Sequence, residues 1–148
     1  MTKLPTTRNL VLYADDDQDD LTLIEQSFAQ YSNNVEVVTF PDGHHTLHFL
    51  LELTTEETSP CLIILDVNMP GLSGKEILVR IRELPKYKET PVVLFSTSSL
   101  PMDKDFALRY DAGFITKPID MKQMEAVIYE FIDHCDEEIK KKIRKQTI

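Results

Sequence analysis

Leu62-Ile63-Ile64-Leu65-Asp66-Val67-Asn68-Met69-Pro70-Gly71 is the stretch whose reading decides the fold. An uncharged apolar run of strand length ends in a single carboxylate, Asp66, and the chain then breaks at Pro70-Gly71. A run with no polar alternation is the pattern of a strand buried on both faces, as in the interior of a parallel sheet. Taken alone, this strand end also describes an ordinary solvated aspartate. The residues at the ends of the other strands decide between the two readings.

Working outward, Leu10-Val11-Leu12-Tyr13-Ala14 is a second buried strand that stops in Asp15-Asp16-Asp17-Gln18-Asp19-Asp20. Leu21, Ile24, Phe28 and Tyr31 follow at helical spacing, and Ser32-Asn33-Asn34 closes that helix. Val35–Phe40 predicts a strand, Pro41-Asp42-Gly43 a turn, and Leu47, Leu50 and Leu51 a helix. Beyond the central strand, Ser73 and Glu76 have capping-box spacing ahead of the stripe Ile77, Leu78, Ile81 and Leu84. Val92–Phe95 is a fourth apolar run, ending in Ser96-Thr97-Ser98-Ser99, and a short helix is expected around Asp103 to Tyr110. Phe114-Ile115-Thr116 is a brief fifth strand ending in Lys117-Pro118. Asp120, with Gln123 three residues on, is expected to cap a last helix lined by Met121, Met124, Ile128, Phe131 and Cys135. Five strands alternating with five helices give the fold class α/β, doubly wound, because parallel strands need long crossovers and bury both faces.

At 148 residues the chain suits one domain, with 42% apolar and 28% charged residues, both globular values. We divide it into a short polar lead (1–8), the domain (9–135) and a basic C-terminal extension of the last helix (136–148). A formal charge of −9 argues against nucleic-acid binding, which needs a basic face. The one basic cluster is Lys140, Lys141, Lys142, Arg144 and Lys145, read as a solvated helix end. Apolar runs far short of ~20 residues and an N-terminus without an apolar core predict no membrane span and a cytoplasmic location. Cys61 and Cys135 show no CxxC spacing, which leaves them as small buried residues and not a disulfide framework or zinc site.

In open α/β sheets ligands bind beyond the carboxyl ends of the strands. This chain sets Asp15 and Asp16, Asp66, Ser96, and Lys117 at the ends of strands one, three, four and five. Three carboxylates within ~5 Å would repel by roughly 3 kcal/mol per pair at an effective dielectric near 20. A cation is therefore expected among them, and an all-oxygen donor set suits Mg²⁺ much better than zinc. With Lys117 as a fixed charge and Ser96 as a hydroxyl donor, the group has the parts to stabilise a transferring phosphoryl group, and Asp66 is its central acceptor.

These residues carry a resemblance. Asp15-Asp16 after strand one, Leu65-Asp66-Val67-Asn68-Met69-Pro70-Gly71 with Gly74, Ser96 after strand four, and Lys117-Pro118 resemble the receiver domain of two-component response regulators. The likeness spans about Asn9 to Asp133. It implies a flavodoxin-like five-stranded sheet of order 2-1-3-4-5. It implies further that Asp66 accepts a phosphoryl group from a sensor histidine kinase or phosphotransfer protein. Asp15, Asp16, Asp66 and the backbone carbonyl of Asn68 would then hold Mg²⁺, and Lys117 would contact the phosphoryl oxygens. Ser96 and Phe114 would form a switch pair, and a cis peptide would precede Pro118. Thr97, where alanine or glycine is usual, and Tyr110-Asp111, in place of a common Gly-Ala, depart from the pattern. The expected protein is a stand-alone response regulator, a phosphoacceptor and not an enzyme in the ordinary sense. It would signal by binding an unknown downstream protein, with a homodimer through the last helix region as a further expectation.

Other motifs dissolve on inspection. Asp15, Asp17 and Asp19 mimic a calcium loop, but Asp20 stands where the turn glycine belongs and Gln26 where the closing glutamate belongs. Gly71-Leu72-Ser73-Gly74-Lys75 has glycines too close for a phosphate-binding P-loop. His44 and His48 share a helix face without an evident third ligand. Two other functions compete. A haloacid-dehalogenase-type phosphohydrolase would want a second acid where Asn68 stands. A flavodoxin-like FMN carrier would want a hydroxyl- and glycine-rich loop where this chain has five acids. A degenerate receiver kept as a scaffold is disfavoured by the complete set of site residues.

Overall fold

The computed structural model describes residues 9–53, 59–120 and 123–144. Its strands are β1 (Asn9–Ala14), β2 (Val35–Phe40), β3 (Leu62–Asp66), β4 (Val92–Ser96) and β5 (Gly113–Thr116). The helices are α1 (Gln18–Ser27), α2 (Gly43–Glu52), α3 (Gly74–Glu83), α4 (Pro101–Arg109), α5 (Met124–Asp133) and α6 (Glu137–Arg144). The strands form one sheet of order β2-β1-β3-β4-β5, and every pairing is parallel. This is the order that the resemblance implies. Leu12, Tyr13, Ile63, Ile64, Leu65, Val93 and Leu94 are fully shielded from solvent, so the middle of the sheet is apolar on both sides.

Alternation along the strands sends side chains to two cores. Val11, Tyr13, Leu62, Ile64, Val93, Phe95 and Ile115 meet α1, α5 and α6 on one face. Leu12, Ala14, Ile63, Leu65 and Leu94 meet α2, α3 and α4 on the other. Free Cys135 is buried in the first core, and partly buried Cys61 packs against it.

Helix starts follow the expected chemistry in most places. Asp17 caps α1 by accepting from the N–H groups of Asp19 and Asp20, and Asp42 caps α2 by accepting from that of His45. Ser73 and Glu76 form a reciprocal capping box at α3. α1 stops at Ser27, and a 3-10 turn over Ala29–Tyr31 still lets Phe28 and Tyr31 reach the core. On α2, Leu50 is buried but Leu51 is exposed, because adjacent residues on a helix face directions about 100° apart.

α5 begins at Met124, and just before it the Gln123 N–H donates to the Asp120 carbonyl; whether the Asp120 side chain caps this turn depends on residues 121–122, which lie outside the described residues. Met121, also assigned to this helix, is one of these. Two expectations change. The C-terminal segment is a separate helix and not an extension of α5. The chain bends after Asp133 because Ile143 is fully buried and Ile139 packs against the α5-side core, which a straight continuation could not achieve. Arg144 secures that return: its guanidinium stacks 3.6 Å from the Tyr129 ring centroid and donates to Asp133 at 2.9 Å. Finally, the peptide before Pro118 is trans, since no cis bond occurs among the described residues. Trans is the lower-energy isomer, and in it the Lys117 N–H donates to the Ser96 carbonyl while its side chain makes its ion pairs.

Candidate functional site

The ladder register brings the strand ends level. Ala14 pairs with Leu65, Asp66 with Phe95, and Ser96 with Thr116. Asp15, Asp66 and Lys117 therefore continue the same alternation as Tyr13, Ile64 and Ile115 and emerge on the α1–α5 side of one sheet edge. Carboxylate oxygens of Asp15, Asp16 and Asp66 all lie within 4.8 Å of one another. Asp15 and Asp66 are buried and Asp16 is exposed, so the cluster has a protein side and a solvent side.

Lys117 is the counter-charge. Its Nζ donates to Asp15 Oδ2 at 2.8 Å and to Asp20 Oδ2 at 2.9 Å, and stands 3.7 Å from Asp66 Oδ1. Asp15 also accepts from the Tyr13 hydroxyl on Oδ2 and from the Asp17 N–H on Oδ1. Asp66 accepts from the Asn68 N–H at a longer 3.4 Å and stands farther from the lysine. The unequal support separates the two acids. Burial raises both, but the bonds from Lys117 and Tyr13 outweigh it at Asp15 and hold that carboxyl below its ordinary value. At Asp66, burial and the neighbouring Asp15 charge prevail and push the carboxyl up to about 7. Burial also opposes the charge on Lys117, yet its bonds to Asp15 and Asp20 keep its pKa above the ordinary lysine value.

The β3–α3 loop is held close to Asp66. A Cβ on Gly74 would fall 2.2 Å from the Asp66 carbonyl oxygen, so only glycine lets α3 start there. Ser96 is fully buried at the end of β4, where its Oγ accepts from the Ser98 N–H at 3.0 Å. Phe114, two residues before Thr116 on β5, packs partly buried against the α2–α3–α4 core. Ser96 and Phe114 thus share the sheet face opposite to Asp66. Asn68 is exposed beside the acids, and Pro118 is partly buried behind Lys117.

From sequence, Asp20 belongs only to the acidic run after strand one, and Tyr13 only to a buried strand. Asp20 holds Lys117 because α1 turns back over the sheet edge; its place one turn into the helix was visible, its direction was not. Tyr13 carried a usable signal, since a buried phenol needs a partner and the acid two residues on shares its face. His44 and His48 are exposed, and His48 pairs with Glu52 at 3.0 Å. Among the described residues, no helix is long and apolar enough to cross a membrane.

Comparison with known proteins places this geometry. The Synechocystis response regulator Rcp1 is 32% identical over 120 residues, which cover 78% of this chain and 80% of that protein. The phosphorylated cyanobacterial phytochrome response regulator RcpA superposes with a TM-score of 0.76 at 26% identity, over 87% of this chain and 97% of that one. The Mn²⁺-bound form of response regulator Rcp1 shares the fold with a TM-score of 0.74 at 24% identity, over 95% of this chain and 98% of that one. The family profile described as "Response regulator receiver domain" matches residues 11–129, a span running from β1 through the acids and the lysine into α5. With that span matched, the chain belongs to the response regulator receiver domains of two-component signalling.

Proposed function

We propose that Asp66 is the phosphoacceptor of a Mg²⁺-dependent response regulator, charged by the phosphohistidine of a sensor kinase or phosphotransfer protein. The observation that carries this reading is the meeting of Asp15, Asp16 and Asp66 oxygens within 4.8 Å of one another, with Lys117 Nζ 3.7 Å from Asp66. The donor set fits Mg²⁺: all atoms are oxygen, two acids are buried and the third faces solvent, where water can complete the shell. Asn68 would contribute its backbone carbonyl. The relative whose structure was solved with Mn²⁺ supports a divalent cation at such a site. When bound, Mg²⁺ would neutralise charge on the phosphoryl oxygens and favour the ionised form of Asp66.

The protein's own groups divide the remaining work. An Asp66 carboxylate oxygen forms the new O–P bond as the donor's P–N bond breaks and its electron pair returns to the imidazole. Lys117 neutralises a peripheral phosphoryl oxygen, and Ser96 exchanges its bond from the Ser98 N–H for donation to another. That movement opens room for Phe114, which already packs on the same face as Ser96. Output follows by phosphorylation-dependent protein binding on α4, β5 and α5, where Leu100, Met102, Leu108 and Tyr129 are exposed. A second copy of the chain is one such partner. Intact mass after incubation with acetyl phosphate should show one added phosphoryl group that requires Mg²⁺ and is missing from Asp66→Asn. An adduct that persists in Asp66→Asn would sink the assignment.

A further inference from the structure

The donors of Lys117 are divided in a way that the phosphoacceptor reading leaves unexplained. A lysine ammonium has three N–H donors. Two are spent on Asp15 and Asp20, at 2.8 and 2.9 Å, while the acid that should receive the phosphoryl group stands at 3.7 Å. Asp15 is fully buried and is bound as well by the Tyr13 hydroxyl and the Asp17 N–H, so its position is fixed. Asp20 is different. It comes from the first turn of α1, it is partly exposed, and the described ion pair of its carboxylate is with Lys117. It also lines, with Lys117, a cavity of about 250 Å³ bounded by Tyr13, Ile24, Phe95 and Met124.

We infer that Asp20 is a positioning residue that competes with the phosphoryl group for Lys117 and so lowers the occupancy and lifetime of phospho-Asp66. The inference rests on the phosphoacceptor reading above and deepens it. In the resting protein the Asp20 carboxylate draws the ammonium toward α1. A phosphoryl group on Asp66 must recover that donor, and its charge is repelled by Asp20 as well. The geometry makes Asp20 the tunable part of the site, because it can change without touching Asp15, Asp16 or Asp66.

The test is beryllofluoride affinity in Mg²⁺ and the decay rate of the acetyl-phosphate adduct in the full chain, for the wild type, Asp20→Asn and Asp20→Glu. Trace labelling of lysine amines with mass-spectrometric readout follows Lys117 in the resting state. Asp20→Asn, which keeps the shape and removes the charge, should bind beryllofluoride about three- to tenfold more tightly and decay about as much more slowly. It should also label more readily at Lys117, and Asp20→Glu should return toward wild type. In a Lys117→Gln background, Asp20→Asn should have at most a small effect, a coupling that a merely structural role would not produce. Unchanged or weaker binding in Asp20→Asn, with wild type forming its adduct normally, overturns this inference alone. If wild type forms neither adduct nor beryllofluoride complex, the phosphoacceptor reading falls and takes the inference with it.

Discussion

Two aspartates a few ångströms apart hold their protons differently, and the cause lies in their partners. Asp15 has the Tyr13 hydroxyl, the Asp17 N–H and the lysine; Asp66 has one long amide bond and a lysine already engaged elsewhere. With its carboxyl raised to about 7, Asp66 in metal-free protein should titrate near neutrality, visible as a carboxyl ¹³C shift in EDTA. The sign for stability follows. The folded protein holds this proton more tightly than the unfolded chain, whose aspartates titrate near 3.9. Its contribution is therefore unfavourable above pH 7 and is relieved as pH falls from about 7 toward 4. Urea midpoints in EDTA should rise on acidification through that window, and Asp66→Asn should flatten the dependence.

At the scale of elements, single side chains tie segments that are distant in sequence. The Arg82 guanidinium on α3 donates to the carbonyls of Tyr110 and Asp111 at 2.8 and 2.9 Å, and to those of Tyr87 and Thr90 at 2.9 and 2.7 Å. It thereby fixes the α4–β5 turn, in which Asp111 adopts a left-handed φ of 53°. Arg82→Ala should cost about 2–4 kcal/mol in urea unfolding, and Arg82→Lys should recover little, because a point charge cannot span two segments. Lys75 and buried Asp103 form a second tie, an ion pair joining the start of α3 to α4. α6 is held by the buried side chain of Ile143 and by Arg144 on Tyr129 and Asp133. Ile143→Ala should cost about 2–3 kcal/mol or release α6 locally, with hydrogen exchange rising in α6 before β1 or β3.

The whole molecule concentrates negative charge at one sheet edge, and one lysine answers it. On the proposed reading, a divalent cation would bind there in the folded state alone and so link that edge to global stability. Mg²⁺ at about a hundred times its dissociation constant should add about 2.7 kcal/mol and raise the thermal midpoint by about 5–10 °C. Asp15→Asn should abolish most of this gain. Because a protonated Asp66 is a poor ligand, the apparent Mg²⁺ affinity should weaken as pH falls below 7. Calorimetry with and without EDTA at pH 8 and pH 6 measures both effects.

Apolar runs without alternation, each ending in a chemically distinct group, were enough to establish a parallel α/β sheet and to single out Asp15, Asp16, Asp66, Ser96 and Lys117. Strand identity is local: β2 runs over Val35–Phe40 as its residues predict, and the Ser73–Glu76 box forms where its spacing puts it. What local pattern could not decide is direction across space. That Lys117 turns to Asp20 depends on where α1 lies over the sheet edge, which is a matter of packing between elements and not of spacing along the chain. The same holds for the C-terminal helix. Its charged residues read as a solvated continuation of α5, and only the core's demand for Ile143 bends it back. Spacing along the chain determines which side chains share a face, but tertiary packing determines what that face meets.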